Sequence, residues 1–136
     1  MNRRRPASLF ECGNSVGAET LLRRRSEIVM PFTHKYTDPE PTRPEVEALS
    51  GLALLEFGAA SCGYCQRAEP VVAEALAETP VTHHIKISDG STRRLGRYFG
   101  VKLWPTLVFL KDGKEFARVV RPFNAEVIRR ALKGLP

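Results

Sequence analysis

From residue 30 onward the chain alternates between short apolar runs and longer stretches of helical period. Phe32-Thr33-His34-Lys35-Tyr36 has the large and β-branched residues of a short first strand. Thr42 with Glu45 three positions on reads as a capping box with Pro44 in the first turn, so residues 42–50 predict a helix closed by Gly51. Leu52-Ala53-Leu54-Leu55-Glu56-Phe57 is apolar on both faces except at Glu56, the pattern of a central strand covered by helices on each side. Ala68, Val71, Val72, Ala75 and Leu76 then recur at i, i+3, i+4, i+7 and i+8, one apolar stripe with Glu69, Glu74 and Glu78 off it. Pro70 is expected to kink that helix and Thr79-Pro80 to end it.

Val81 to Ser88 predicts the next strand. Leu95, Tyr98 and Phe99 mark a short helix with Ser91 as N-cap and Gly100 as its stop. Thr106 to Leu110 is a wholly apolar strand, Lys111-Asp112-Gly113-Lys114 a two-residue hairpin turn, and Glu115 to Arg121 a charged edge strand. The last helix starts at Asn124 and should bury Val127, Ile128, Ala131, Leu132 and Leu135. Strand and helix alternate until the hairpin, which demands parallel crossovers followed by an antiparallel end: an α/β domain over residues 30–136.

Residues 1–29 lack such a pattern. Two triple-arginine blocks, Arg3 to Arg5 and Arg23 to Arg25, flank small and polar residues, so a disordered Arg-rich leader is expected. Glu11, Glu19 and Glu27 count against an organelle transit peptide, and Met30 offers an alternative start that would make the leader an upstream extension. The net charge of +6 at first suggests an anionic partner, but the leader's six arginines against three glutamates carry half of it. The remainder is only mildly basic and has no stripe of aromatic and basic residues, which argues against nucleic acid. The longest apolar run, Leu103 to Leu110, is far short of the roughly 20 residues of a span, so no membrane helix is expected, and residues 1–29 offer no apolar run longer than pairs such as Leu21-Leu22, which argues against a secretory signal.

The chemistry concentrates at Cys62-Gly63-Tyr64-Cys65, between the apolar run and the striped helix. Residues i and i+3 of a helix lie about 5–6 Å apart at Cβ, so the two sulfurs are within reach of a disulfide that opens and closes without refolding. At a helix start, unpaired N–H groups and the macrodipole favour an anion, which singles out Cys62 as the thiol that ionises. A zinc site would need two more ligands; His83 and His84 are adjacent on a strand and point to opposite faces, so both cannot serve one ion, and no metal is expected. Cys12 reads as a free thiol.

These residues resemble the thioredoxin family over about the last 105 of 136 residues. Leu55-Glu56-Phe57 ahead of Cys-Gly-x-Cys, Pro70, Phe99-Gly100-Val101, Trp104-Pro105-Thr106 and Lys111-Asp112-Gly113 fall in order at the family's spacing. The resemblance implies a thioredoxin fold, a central mixed five-stranded sheet flanked by four helices, with the disulfide facing a cis-proline at Pro105. It further implies a substrate groove formed by Gly63, Tyr64, Trp104, Pro105, Thr106 and Arg121. The chain departs from the family at Ser61 and Gly58, where Trp is usual, at Glu56 in place of Asp, at Arg121 in place of Gly, and in its Gly-Tyr dipeptide, which is similar to that of periplasmic disulfide isomerases.

The implied activity is reduction of protein disulfides, with Cys62 as nucleophile, Cys65 as resolving thiol and Glu56 as proton acceptor, raised in pKa by burial. For Glu56 the simpler alternative is an acid reaching solvent at the sheet edge. Trp104 is either core filling or a cap over the disulfide; Arg121 either favours the Cys62 thiolate and acidic substrates or is a solvated edge residue. No cofactor beyond the redox-active disulfide is implied. The expected setting is a cytoplasmic monomer serving disulfide-containing clients, with electrons from a thioredoxin-reductase-type donor. The alternatives are a disulfide oxidase or isomerase, and a redox-responsive binding or chaperone module without turnover.

Overall fold

A computed structural model describes residues 32–136. The expected leader, Cys12 and Met30 lie outside the described residues. The elements run β1 (Tyr36–Thr37), α1 (Arg43–Glu47), β2 (Leu52–Gly58), α2 (Gly63–Glu78), β3 (His83–Ser88), α3 (Leu95–Tyr98), β4 (Thr106–Lys111), β5 (Lys114–Val120) and α4 (Ala125–Leu132). The five strands form one mixed sheet in the order β1-β3-β2-β4-β5. Pairing is parallel from β1 through β3 to β2 and antiparallel from β2 through β4 to β5, as the switch from crossovers to a hairpin requires.

Side chains alternate across a strand, so β2, in the middle, feeds two cores. Leu52 and Leu54 pack with Val72, Ala75 and Leu76 of α2 and Ala125, Ile128 and Leu132 of α4. Ala53, Leu55 and Phe57 pack on the other face with Val46 of α1 and Leu95 of α3. All seven residues of β2 are buried. Glu56 shares the phase of Leu52 and Leu54 and so lies on the α2 side of the sheet.

Several ends differ from expectation, each for a local reason. The first strand pairs only at Tyr36 and Thr37, because the Thr33 N–H is taken by His84 Nδ1 at 3.1 Å instead of the ladder. The capping box on α1 is present, Thr42 N–H donating to Glu45 Oε1 and Glu45 N–H to Thr42 Oγ1. The helix nevertheless ends at Glu47, where Leu49 N–H turns back to Val46 O in a tighter three-residue step before Gly51 (φ 77°). Ser91 does not cap α3. The Glu40 carboxylate does so from outside, accepting from Arg94 N at 2.9 Å and Leu95 N at 3.2 Å. Helix α2 continues through Pro70 to Glu78. On α4, Asn124 caps Val127 N–H, Val127 and Ala131 are half-buried, and Leu135 is 41% exposed because the helix stops at Leu132.

The hairpin between β4 and β5 has positive φ at both central residues, Asp112 (50°) and Gly113 (83°), the type I′ geometry that matches strand twist. Asp112 Oδ1 also accepts from Gly51 N at 2.8 Å, tying the hairpin to the start of β2. A Cβ on Gly113 would lie 2.0 Å from the backbone oxygen of Glu47. Gly113→Ala therefore combines a left-handed backbone with a backbone clash, and is expected to lower stability by about 2 kcal/mol or more. The measurement is a urea unfolding curve, with a lower midpoint at unchanged slope.

Candidate active site

β2 ends at Gly58, and four residues later Cys62 is the N-cap of α2, in extended conformation (φ −82°, ψ 118°). Its Sγ accepts from Cys65 N–H at 3.2 Å, the place a serine or aspartate oxygen takes in an ordinary cap. A sulfur anion there faces unpaired amides and the positive end of a sixteen-residue helix. Cys62 is half-buried and Cys65 is 2% exposed, both as free thiols. Burial, followed by the hydrogen bond with Cys62 and the negative charges of Cys62 and Glu56, pushes the Cys65 thiol up from 9.0 to about 11. The two sulfurs thus have different duties: one reachable and capped, the other held as a neutral thiol.

Gly58 is where the backbone must pass closest to that buried sulfur. A Cβ there would stand 2.6 Å from Cys65 Sγ and 3.3 Å from the Tyr36 hydroxyl. Tyr36 thus reaches in from the edge strand β1 to the space beside the thiol. Burial first, then the charges of Cys65 and Glu56, holds its phenol above its ordinary range.

Sheet register explains how the buried acid is surrounded. Glu56 stands opposite Lys86 on β3, and Lys86 opposite Tyr36 on β1, so one row across three strands carries all three. His84 lies two residues before Lys86 on the same face. Its Nε2 is 2.9 Å from Glu56 Oε1, and both side chains are 1% exposed. Because an amide can only donate, the Thr33 N–H fixes His84 Nδ1 as the unprotonated nitrogen; the ring proton is on Nε2 and donates to Glu56. Glu56 Oε1 is therefore occupied, while Oε2 has no hydrogen-bond partner among the described residues and has Lys86 Nζ at 3.9 Å. Lys86 Nζ also donates to Glu69 Oε2 at 3.2 Å, and Glu69 Oε1 meets the exposed His34. The hydrogen bond with His34, aided by that with Lys86, holds the Glu69 carboxyl below its usual range. The sheet-edge alternative for Glu56 is thereby corrected: the residue is enclosed on a central strand.

The Trp104–Pro105 peptide is cis, and Pro105 is buried. Thr106, 1% exposed, donates from Oγ1 to Leu103 O at 2.6 Å. The Trp104 indole N–H donates to Asp89 Oδ2 at 2.8 Å, and Asp89 N–H in turn to Gly58 O at 2.8 Å, so the indole is anchored to the end of β2. Gly96 gives that carboxylate its room, since a Cβ would stand 2.2 Å from Asp89 Oδ1. Arg121 adopts φ 49°, its N–H bonds Pro105 O at 2.9 Å, its Nε donates to Trp104 O at 2.8 Å, and its guanidinium lies 3.8 Å from the Tyr64 ring centroid. Arg121 is half-buried, with its side chain folded back onto the proline loop.

Cys62, Cys65, Gly63 and Tyr64 thus share the N-terminal end of α2, Glu56 lies on the face that α2 covers, and Arg121 links Tyr64 to the Trp104-Pro105-Thr106 turn. His83 stays half-buried, and among the described residues no group of three ligating side chains is disposed to hold a metal ion. Sequence reasoning missed Tyr36, His84 and Asp89 as parts of this site. The signal for His84 was its two-residue step from Lys86; for Tyr36 it was the missing side chain at Gly58; nothing local marked Asp89.

Residues 35–134 match the family model for thioredoxin. A thioredoxin from Chlamydia muridarum is 41% identical over 71 residues, 52% of this chain and 70% of that protein. Among solved structures, thioredoxin 2 from Pseudomonas aeruginosa PAO1 in its reduced form aligns at 48% identity and a TM-score of 0.67, over 76% of this chain and 96% of that one. A thioredoxin from Nicotiana alata aligns at 28% identity and a TM-score of 0.51, over 67% and 78%. With its mixed sheet and its paired cysteines at the head of α2, the chain belongs to the thioredoxin family and is a thioredoxin-type thiol-disulfide oxidoreductase.

Proposed function

We propose that this protein reduces disulfides of client proteins through Cys62 and Cys65, in a reducing, cytoplasmic setting. The observation that carries this reading is the asymmetry of the two thiols: Cys62 is reachable and caps the helix, whereas Cys65 is enclosed beside a buried acid with one uncommitted oxygen. In the first step the Cys62 thiolate attacks one sulfur of the client; a Cys62–client disulfide forms, the client S–S bond breaks, and its leaving thiolate takes a proton from water. In the second, Cys65 gives its proton to Glu56 Oε2 and attacks Cys62 Sγ. The Cys62–Cys65 bond forms and the client's second thiolate departs. Two electrons have passed to the client, and a thioredoxin-reductase-type donor restores the dithiol with two more.

The surroundings of Glu56 divide its oxygens between holding and accepting. His84 holds Oε1, which orients the carboxylate; Oε2 is left to take the proton. A general base within reach is needed because the Cys65 thiol, raised to about 11, is almost wholly protonated near neutral pH. Gly63, Tyr64 and Trp104 form the walls against which the client chain lies, over the buried Pro105 and Thr106, and the backbone beside Pro105 supplies hydrogen-bonding groups for an extended segment.

Insulin reduction is the direct assay. Cys62→Ala is expected to abolish turnover, and a variant that still reduced insulin would overturn the assignment of the nucleophile. Glu56→Gln is expected to slow release of the mixed disulfide by on the order of a hundredfold at neutral pH. The sign of its pH dependence follows from the raised thiol: the variant's resolving step should quicken as pH rises towards about 11, where Cys65 ionises unaided. Rapid-quench trapping of the mixed disulfide across pH measures this; a flat profile would remove Glu56 from the step.

A further inference from the structure

Beside the dithiol lies a cavity of about 310 Å³ lined by Tyr64, Arg67, Ala68, Val71, Arg121, Pro122 and Phe123. Its charged residues are both arginines, and both are drawn to one ring: the guanidinium carbons of Arg121 and Arg67 lie 3.8 and 4.8 Å from the Tyr64 centroid. Arg67 Nη1 is 3.6 Å from the point a Cβ on Gly63 would occupy, which sets its charge against the Cys-Gly-Tyr-Cys turn itself. Neither arginine has a carboxylate partner among the described residues. Arg121 spends Nε on Trp104 O, leaving its terminal nitrogens without a protein acceptor there. Two like charges converging on one ring repel each other, and an anion placed between them would relieve that repulsion. The cavity also offers apolar contact, since Phe123 is 80% exposed and Tyr64 49% exposed on its rim.

Resting on the reading that Cys62 attacks a client disulfide, we propose that this cavity is a specificity subsite for a carboxylate side chain flanking the client's cysteine. Charge complementarity selects the occupant: a bidentate guanidinium fork matches a carboxylate, and both forks rest against the Tyr64 ring. A client bearing Asp or Glu beside its disulfide enters with its sulfur towards Cys62 and its acid between Arg67 and Arg121. A basic residue at that position is repelled.

The test uses two cystine peptides identical except for Glu or Gln beside the cysteine, reduced by the full chain at low ionic strength. The Glu peptide is expected to show a kcat/KM roughly fivefold higher, the scale two solvent-exposed pairs supply, and the advantage should shrink with added salt. The ratio cancels any change in Cys62 nucleophilicity common to both peptides. It should fall in Arg67→Gln and in Arg121→Gln, reach about one in the double variant, and stay unchanged in Arg130→Gln, a distant exposed arginine that controls for overall charge. Equal rates for the two peptides in the parent protein would overturn the subsite, as would a fall in Arg130→Gln matching that in Arg67→Gln. A second arm does not require turnover. In Cys65→Ser, Cys62 should react faster with the anionic dithiobis(nitrobenzoate), relative to uncharged dithiodipyridine, and the double arginine variant should lose that preference. If neither peptide is reduced, the client-reductase reading fails while this arm still decides the subsite; an unchanged reagent ratio sinks it.

Discussion

A carboxylate enclosed on the middle strand of a sheet dictates the arrangement around it. A carboxyl group with 1% exposure is tolerated only when charge and hydrogen bonds replace the lost water. Here His84 supplies the hydrogen bond and Lys86 the nearest opposite charge, and Glu69 engages Lys86 from the helix above. The replacement is incomplete: one oxygen faces no donor. The carboxylate is thus held through one oxygen while the other stays uncommitted. The first stretch of the described chain belongs to the same arrangement, since the Thr33 amide sets the His84 tautomer and thereby the oxygen that is held.

The dithiol turn and the proline loop meet through Arg121. A residue with positive φ and a long charged side chain at the end of β5 joins three parts at once, by its N–H to Pro105 O, its Nε to Trp104 O and its face to Tyr64. Glycine there would supply the conformation alone. Arginine adds a bridge, engaging the Trp104 carbonyl with its guanidinium while resting on the Tyr64 ring.

Much of this was readable in the sequence, wherever one short window contains both the cause and its effect. The apolar run of β2, the Thr42–Glu45 box, the Asp112-Gly113 turn, the Asn124 cap and the Cys62–Cys65 spacing are each complete within a few residues. What escaped reading depends on distant partners. Helix α3 has its cap from Glu40, far back in the chain, so Ser91 looked the better candidate. The first strand is shortened because an imidazole from β3 competes for its amide. Glu56 was legible as an anomaly, but its partners required the β2–β3 register, which a single sequence does not contain. Helix α4 stops at Leu132, three residues short of Leu135, and that end decided whether Leu135 was buried.

Gly58 and Tyr36 occupy opposite sides of one small space beside the inner sulfur. A bulky residue at position 58 would drive out the hydroxyl, and a tyrosine at position 36 forbids the bulky residue. The two positions, separated by a helix and a crossover, are therefore coupled: any side chain at position 58 would have to displace the Cys65 sulfur and crowd the Tyr36 hydroxyl together.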